Sequence, residues 1–175
     1  FTTDHGELQG DFGLLFKGPY HCDALMHLPM IWRPAPSAGV SAAVVEEPVG
    51  QLDLAPTFCA IAGVPVPSWV QGRGLPIGPD PTRERVITEW DSQFDTEDLH
   101  LRSLYRDGWV VTAYEPGGPY DGTEGELYNL GEDPLQWTNR WGDPACASLR
   151  SDLVADLYDH LPPAHDPKLA VEAPV

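Results

Sequence analysis

Residues 1–18, FTTDHGELQGDFGLLFKG, constrain this chain more than any other stretch. Phe1-Thr2-Thr3 favours β structure but is too short to make a sheet by itself. It leads directly into Asp4-His5-Gly6-Glu7, which sets an oxygen ligand, an imidazole and a permissive glycine side by side. Gly10 and Gly13 loosen the segment that follows, and Lys17-Gly18-Pro19 ends it. A strand tip that presents a carboxylate and an imidazole, with a lysine one short loop away, suits a metal ion and an anion. In open α/β sheets such sites lie just past the carboxyl ends of the strands.

Each residue type has its own chemical reason. Asp4 offers a divalent cation a hard, ionised oxygen, and His5 offers a neutral ring nitrogen. Gly6 lets the backbone turn away at once. Lys17 is a compact point charge on a flexible stem, suited to neutralising charge on a phosphate or sulfate oxygen. An Asp-His pair is also a common turn or helix-start element, and spacing alone leaves both readings open.

Charge and composition narrow the partners. The net charge of -17 argues against nucleic acid and against anionic membrane surfaces, both of which attract basic patches. No apolar run approaches the roughly 20 residues of a membrane span. The cysteines, Cys22, Cys59 and Cys146, are unevenly spaced and give neither a disulfide framework nor a CxxC metal pattern. Cys22 and Cys59 read as small buried apolar residues.

The order of elements predicts two parts, 1–82 and 83–175. In the first, Tyr20 to His27 is a short helix, Leu28 to Trp32 a buried strand, and Ala42 to Pro48 another strand or an extended piece. Asp53 is the expected N-cap of a helix through Ala62, stopped by Gly63, with Leu54, Phe58, Ile61 and Ala62 on its apolar face. In the second, Arg85 to Trp90 alternates like a strand. Leu99 to Arg106 and Trp109 to Tyr114 form a hairpin through Asp107-Gly108, and Glu126 to Leu130 is a last strand. Asp143-Pro144 starts a helix striped by Leu149, Leu153, Leu157 and Leu161, and Pro162-Pro163 ends it before a loose tail. Trp90, Trp109 and Tyr114 read as core aromatics and Asp91 as a turn residue, in preference to a cleft lining. His21, His27, His100, His160 and His165 are assigned no function.

The stretch Thr3 to Asp11, followed by Phe16-Lys17-Gly18-Pro19, closely resembles the second metal-binding segment of the sulfatase family, in the alkaline-phosphatase-like superfamily. Later stretches resemble the same family in the same order: Leu28 to Arg33, Asp53-Leu54-Ala55-Pro56-Thr57, Gln71 to Leu75, and Glu126 to Leu130 with Asn139. The resemblance implies an α/β fold: the C-terminal part of an alkaline-phosphatase-like sheet domain, plus a small antiparallel sheet with one packed helix. It implies Asp4 and His5 as metal ligands and Lys17 as the residue that contacts the sulfate ester. The implied metal is calcium. An imidazole ligand points instead to a transition metal, with manganese the second choice.

One feature of the family is missing. The formylglycine nucleophile is made within a C-x-P-S-R type motif, and none of the three cysteines fits it. Cys146-Ala147-Ser148-Leu149-Arg150 has cysteine and arginine at the right distance, but it lies in a helical stretch and lacks the proline. The expectation is therefore the C-terminal part of a sulfuric ester hydrolase, partnered by a missing N-terminal part and acting on a small-molecule or carbohydrate sulfate ester. Alternatives are a phosphonate or phosphate monoester hydrolase on the same scaffold, or a catalytically inert metal-binding fragment.

Overall fold

In a computed structural model of the chain, residues 1–94 and 97–163 are described. His165 and the tail after Pro163 lie outside them. The chain packs as two units, Phe1–Val86 and Ile87–Val175.

The second unit is built on a four-stranded sheet in the order β1 (Arg85–Phe94), β2 (Glu97–Arg106), β3 (Trp109–Tyr114) and β4 (Gly125–Asn129). The β2–β3 turn is the Asp107-Gly108 pair, at φ 52° and 77°. Both residues need the left-handed region for a two-residue turn whose twist matches the strands, and Asp-Gly supplies it at low cost. Register follows: Leu104 faces Val111 across β2–β3, and Val111 faces Leu127 across β3–β4. These three side chains form one buried face.

Helix α3 (Ala147–His160) covers that face. Leu153 and Leu157 are buried among Leu104, Val111, Ala113 and Leu127, and Leu149, Val154 and Leu161 pack around them. The Asp143 side chain accepts the amide of Ala145 at 2.9 Å, in the Pro144–Cys146 turn that leads into the helix. Leu161 leaves the helical region because it precedes a proline. Arg106 on β2 clamps the helix to the sheet through Asp152 and Asp156. Cys146 packs against this core, while Arg150 lies 5.0 Å from the centre of the Trp141 ring and donates to the Trp141 carbonyl. Both have structural roles.

Asp91 is not a turn residue but part of β1, where its side chain meets His100 of β2. His100 Nδ1 lies 2.7 Å from Asp91, its Nε2 2.9 Å from Asp98, and Arg102 donates to Asp91 at 2.8 Å. The hydrogen bond to Asp91, and that to Asp98, hold the His100 pKa above its ordinary 6.5 against the opposing effect of burial. Burial pushes Asp91 up, but the bonds from His100 and Arg102 outweigh it and hold Asp91 low. A histidine pKa raised by folding contributes stability below about 6.5, and that contribution is lost as pH rises through the folded value. Urea midpoints should therefore fall more steeply above pH 6.5 in the parent than in His100→Gln. Parallel pH profiles would remove His100 as the cause.

The first unit holds short elements: α1 (Asp23–Met26), α2 (Leu54–Ala62) and single 3-10 turns. Its apolar core is small, with Leu8, Cys22 and Leu25 packed together. Neither 28–32 nor 42–48 is a strand. Ile31 and Phe1 exchange two backbone hydrogen bonds, 2.6 and 2.9 Å, and an extended pair this short without flanking strands does not amount to a ladder.

Helix α2 ends at Gly63 in the left-handed region, as the sequence predicts. Its burial differs. Pro56 and Thr57 are buried, while Phe58 and Ile61 are 61% and 67% exposed. A polar network decides which side turns inward. The Thr57 hydroxyl donates to the Asp53 carbonyl at 2.6 Å and accepts the Leu75 amide at 2.7 Å. Asp53 does not cap α2 with its side chain. Its carboxylate is buried, accepting the Arg73 amide at 2.8 Å and the Arg83 guanidinium at 2.6 Å.

Candidate functional site

Uncharged groups hold the segment that carries the site in place. The Gln51 amide donates to the carbonyls of both Thr3 and Asp4, at 2.8 and 2.7 Å, and so fixes the chain where Asp4 and His5 leave it. The Gly6 amide donates to the Leu25 carbonyl at 2.9 Å. A Cβ on Gly6 would lie 1.9 Å from the Ala24 carbonyl oxygen. Glycine is needed here for close approach to α1 rather than for an unusual turn. Beyond it, Leu8 is buried, and Gln9, Gly10, Phe12 and Gly13 all take positive φ. This tight excursion brings the chain back, and the Lys17 amide donates to the Glu7 carboxylate at 2.8 Å.

The three residues singled out from sequence meet. His5 Nδ1 lies 2.7 Å from the Gly6 carbonyl oxygen, a contact that requires the proton on Nδ1. The lone pair of the neutral ring is therefore on Nε2. That nitrogen lies 2.8 Å from Lys17 Nζ and 3.6 Å from Asp4 Oδ2. The other Asp4 oxygen accepts the His5 amide at 3.1 Å. Asp4 is held below the usual carboxylate range by its own backbone amide, with further help from His5, so it is ionised and ready to ligate.

Asp4 Oδ2 and His5 Nε2 suit one cation. Adjacent ligands at calcium distances of about 2.4 Å sit roughly 3.4 Å apart, near the separation found here. A hydrogen-bonded carbonyl that fixes the tautomer of an imidazole is the usual outer partner of a metal-binding histidine. Among the described residues no group of three or more His, Cys, Asp or Glu side chains converges as a metal cage. A calcium ion takes about six to eight ligands, so these two side chains could supply only part of a shell.

Glu7 and Gln51 acquire positioning roles that sequence did not assign, and Gly6 serves close approach to α1 in place of the turn expected of it. Glu7 and Gly6 were within the segment, but their partners Lys17 and Leu25 are fixed by tertiary packing. Gln51 carried no signal, because a loop glutamine 47 residues away gives no hint of where its amide points. Of the remaining histidines, His21 is buried just before α1, His27 lies 3.3 Å from Asp23, and His160 bonds the Asp156 carbonyl within α3. Trp109 packs on the sheet core, and Tyr114 stacks on Tyr120 and donates to Glu126 at 2.9 Å. Among the described residues no helix is long and apolar enough to cross a membrane.

No protein-family model matches the chain. An uncharacterized sulfatase of Escherichia coli K-12 is 28% identical over 167 residues, covering 95% of this chain and 32% of the relative. A Δ4,5-hexuronate-2-O-sulfatase of Bacteroides thetaiotaomicron is 25% identical over 177 residues, covering 94% of this chain and 34% of the relative. The chain thus spans about a third of the length of the curated relatives it matches, a C-terminal part of them. Among solved structures, the phosphonate monoester hydrolase of Agrobacterium radiobacter has the same fold. It superposes with a TM-score of 0.74 at 23% identity, over 91% of this chain and 34% of that one.

Proposed function

Because the homologues of this chain are sulfatases, of which it is a C-terminal part within the alkaline-phosphatase-like superfamily, we propose that it serves a sulfuric ester hydrolase. It contributes half of a metal site and an anion-binding lysine. The observation that supports this is the meeting of the Asp4 carboxylate, the His5 Nε2 lone pair and the Lys17 ammonium at one point.

Asp4 and His5 hold a divalent cation, calcium by family resemblance and manganese as the second choice. Bound there, the cation supplies positive charge next to the ester oxygens. Lys17 donates a charge-assisted hydrogen bond to an ester oxygen and stabilises the charge that builds up there as the bond breaks. Glu7 and Gln51 keep these groups in position. The nucleophile, a formylglycine by family resemblance, is supplied by polypeptide outside these 175 residues. The substrate class is a sulfated carbohydrate, a reading supported by a relative named for a hexuronate 2-O-sulfate.

Sulfate and phosphonate esters share tetrahedral geometry, and the fold likeness to a phosphonate monoester hydrolase favours phosphonate as the second reading. The test is an assay of the polypeptide that joins these residues to a nucleophile segment, on 4-nitrophenyl sulfate and phenyl phosphonate. Sulfate should be preferred, and Lys17→Ala should lower kcat/KM by about 100- to 1,000-fold. The 175 residues alone should show no turnover. Phosphonate preference would replace the first reading with the second, and turnover by these residues alone would overturn the assignment of the nucleophile.

A further inference from the structure

His5 has one ring nitrogen to give. Its Nδ1–H is committed to the Gly6 carbonyl at 2.7 Å, so only the Nε2 lone pair remains, and Lys17 Nζ lies 2.8 Å from it. A lone pair accepts either an ammonium proton or a cation, not both. We propose that Lys17 competes with the metal ion for His5 Nε2, so that the ammonium is turned towards the anion only when the metal takes its place. This inference rests on Asp4 and His5 being metal ligands.

The local anchoring suits such an exchange. The Lys17 backbone is tied to the ligand loop through its amide and the Glu7 carboxylate at 2.8 Å, so its Cα stays beside the site. The side chain beyond Cα is a flexible four-carbon stem that can swing between two acceptors without moving the loop. The imidazole ring cannot avoid the competition by swapping tautomers, because that would break the bond to Gly6. Meanwhile His5 Nε2 stands 3.6 Å from Asp4 Oδ2, so the two donor atoms lie near the spacing that a cation requires. An ammonium and a dication also repel each other, which adds to the exclusivity. Metal and anion binding are linked as a result: metal arrival releases the very group that receives the ester.

Manganese titrated into the chain, with affinity read from water-proton relaxation and, where His5 is present, position read from paramagnetic broadening of its ring protons, reads this directly. Lys17→Met removes the competitor and should tighten manganese binding about two- to tenfold, the range of one net hydrogen bond. Lys17→Arg keeps a charged donor and should stay near the parent. If Lys17 only braced the loop, Lys17→Met would bind manganese equally or more weakly, and that result overturns the inference. His5→Gln separates the two readings. Manganese affinity unaffected by His5→Gln removes the metal site itself. Affinity lost in His5→Gln but not raised in Lys17→Met removes only the competition.

Discussion

Arg83→Met should destabilise the first unit by about 3–5 kcal/mol, the range for removing one partner of a buried ion pair. Asp53 and Arg83 are both nearly inaccessible, at 5% and 6% exposure, and are joined at 2.6 Å. The same guanidinium donates to the Gly74 carbonyl at 2.5 Å and to Asp80 at 3.1 Å, and so gathers three separate stretches of chain. Methionine fills much of the volume but leaves a buried carboxylate without its countercharge. Urea unfolding followed by Trp32 and Trp69 fluorescence measures the cost. Hydrogen exchange locates it: the Arg73 and Leu75 amides, bonded to Asp53 and Thr57, should lose protection first. A second variant, Asp53→Leu on the Arg83→Met background, should recover only part of the loss. Leucine leaves the Arg73 amide, and the Gly50 amide that Asp53 accepts at 3.3 Å, without their acceptor. Full recovery would mean that the pair matters only as a pair and that the backbone contacts are incidental.

Leu157→Ala should cost about 2–5 kcal/mol in the second unit. Leu157 is fully buried in the cluster with Leu104, Val111, Ala113 and Leu127, where the helix meets both hairpin strands. The sheet cannot collapse into the space left behind, because its register is fixed by ladder bonds and the Asp107-Gly108 turn. Leu157→Met keeps the volume and should cost less than about 1.5 kcal/mol. Unfolding midpoints read by near-ultraviolet dichroism of Trp109 and Trp141, both packed on this core, separate the two variants. Equal midpoints would show that α3 does not hold the sheet.

The second unit was legible because its signals are local and mutually consistent. Asp107-Gly108 dictates a two-residue turn, alternation dictates the strand faces, and leucines four residues apart dictate a helix with one apolar stripe. Asp91 was misread as a turn residue because its partnership with His100 crosses two strands. The first unit was legible at single residues rather than in its elements. Gly63 stops α2 as expected, yet 28–32 does not form a strand, since an apolar run becomes one only when neighbours satisfy its backbone.

The apolar residues of α2 show the limit of periodicity. Leu54, Phe58 and Ile61 fall on one side of a helix, but the inward side is chosen by Thr57, Asp53 and the 72–75 segment. A hydrophobic stripe predicts that a helix has two faces. It does not say which face meets the rest of this chain.

From the sequence alone came the identities of the donors: a carboxylate at Asp4, an imidazole at His5 and an ammonium at Lys17, in a segment punctuated by glycine. Only the tertiary structure decided that they share one point, that Gly6 fixes the imidazole tautomer and that Gln51 holds the segment in place. Side-chain chemistry is written in residue type, so sequence carries it. Convergence depends on hydrogen bonds between residues tens of positions apart, and those exist only once the chain has packed.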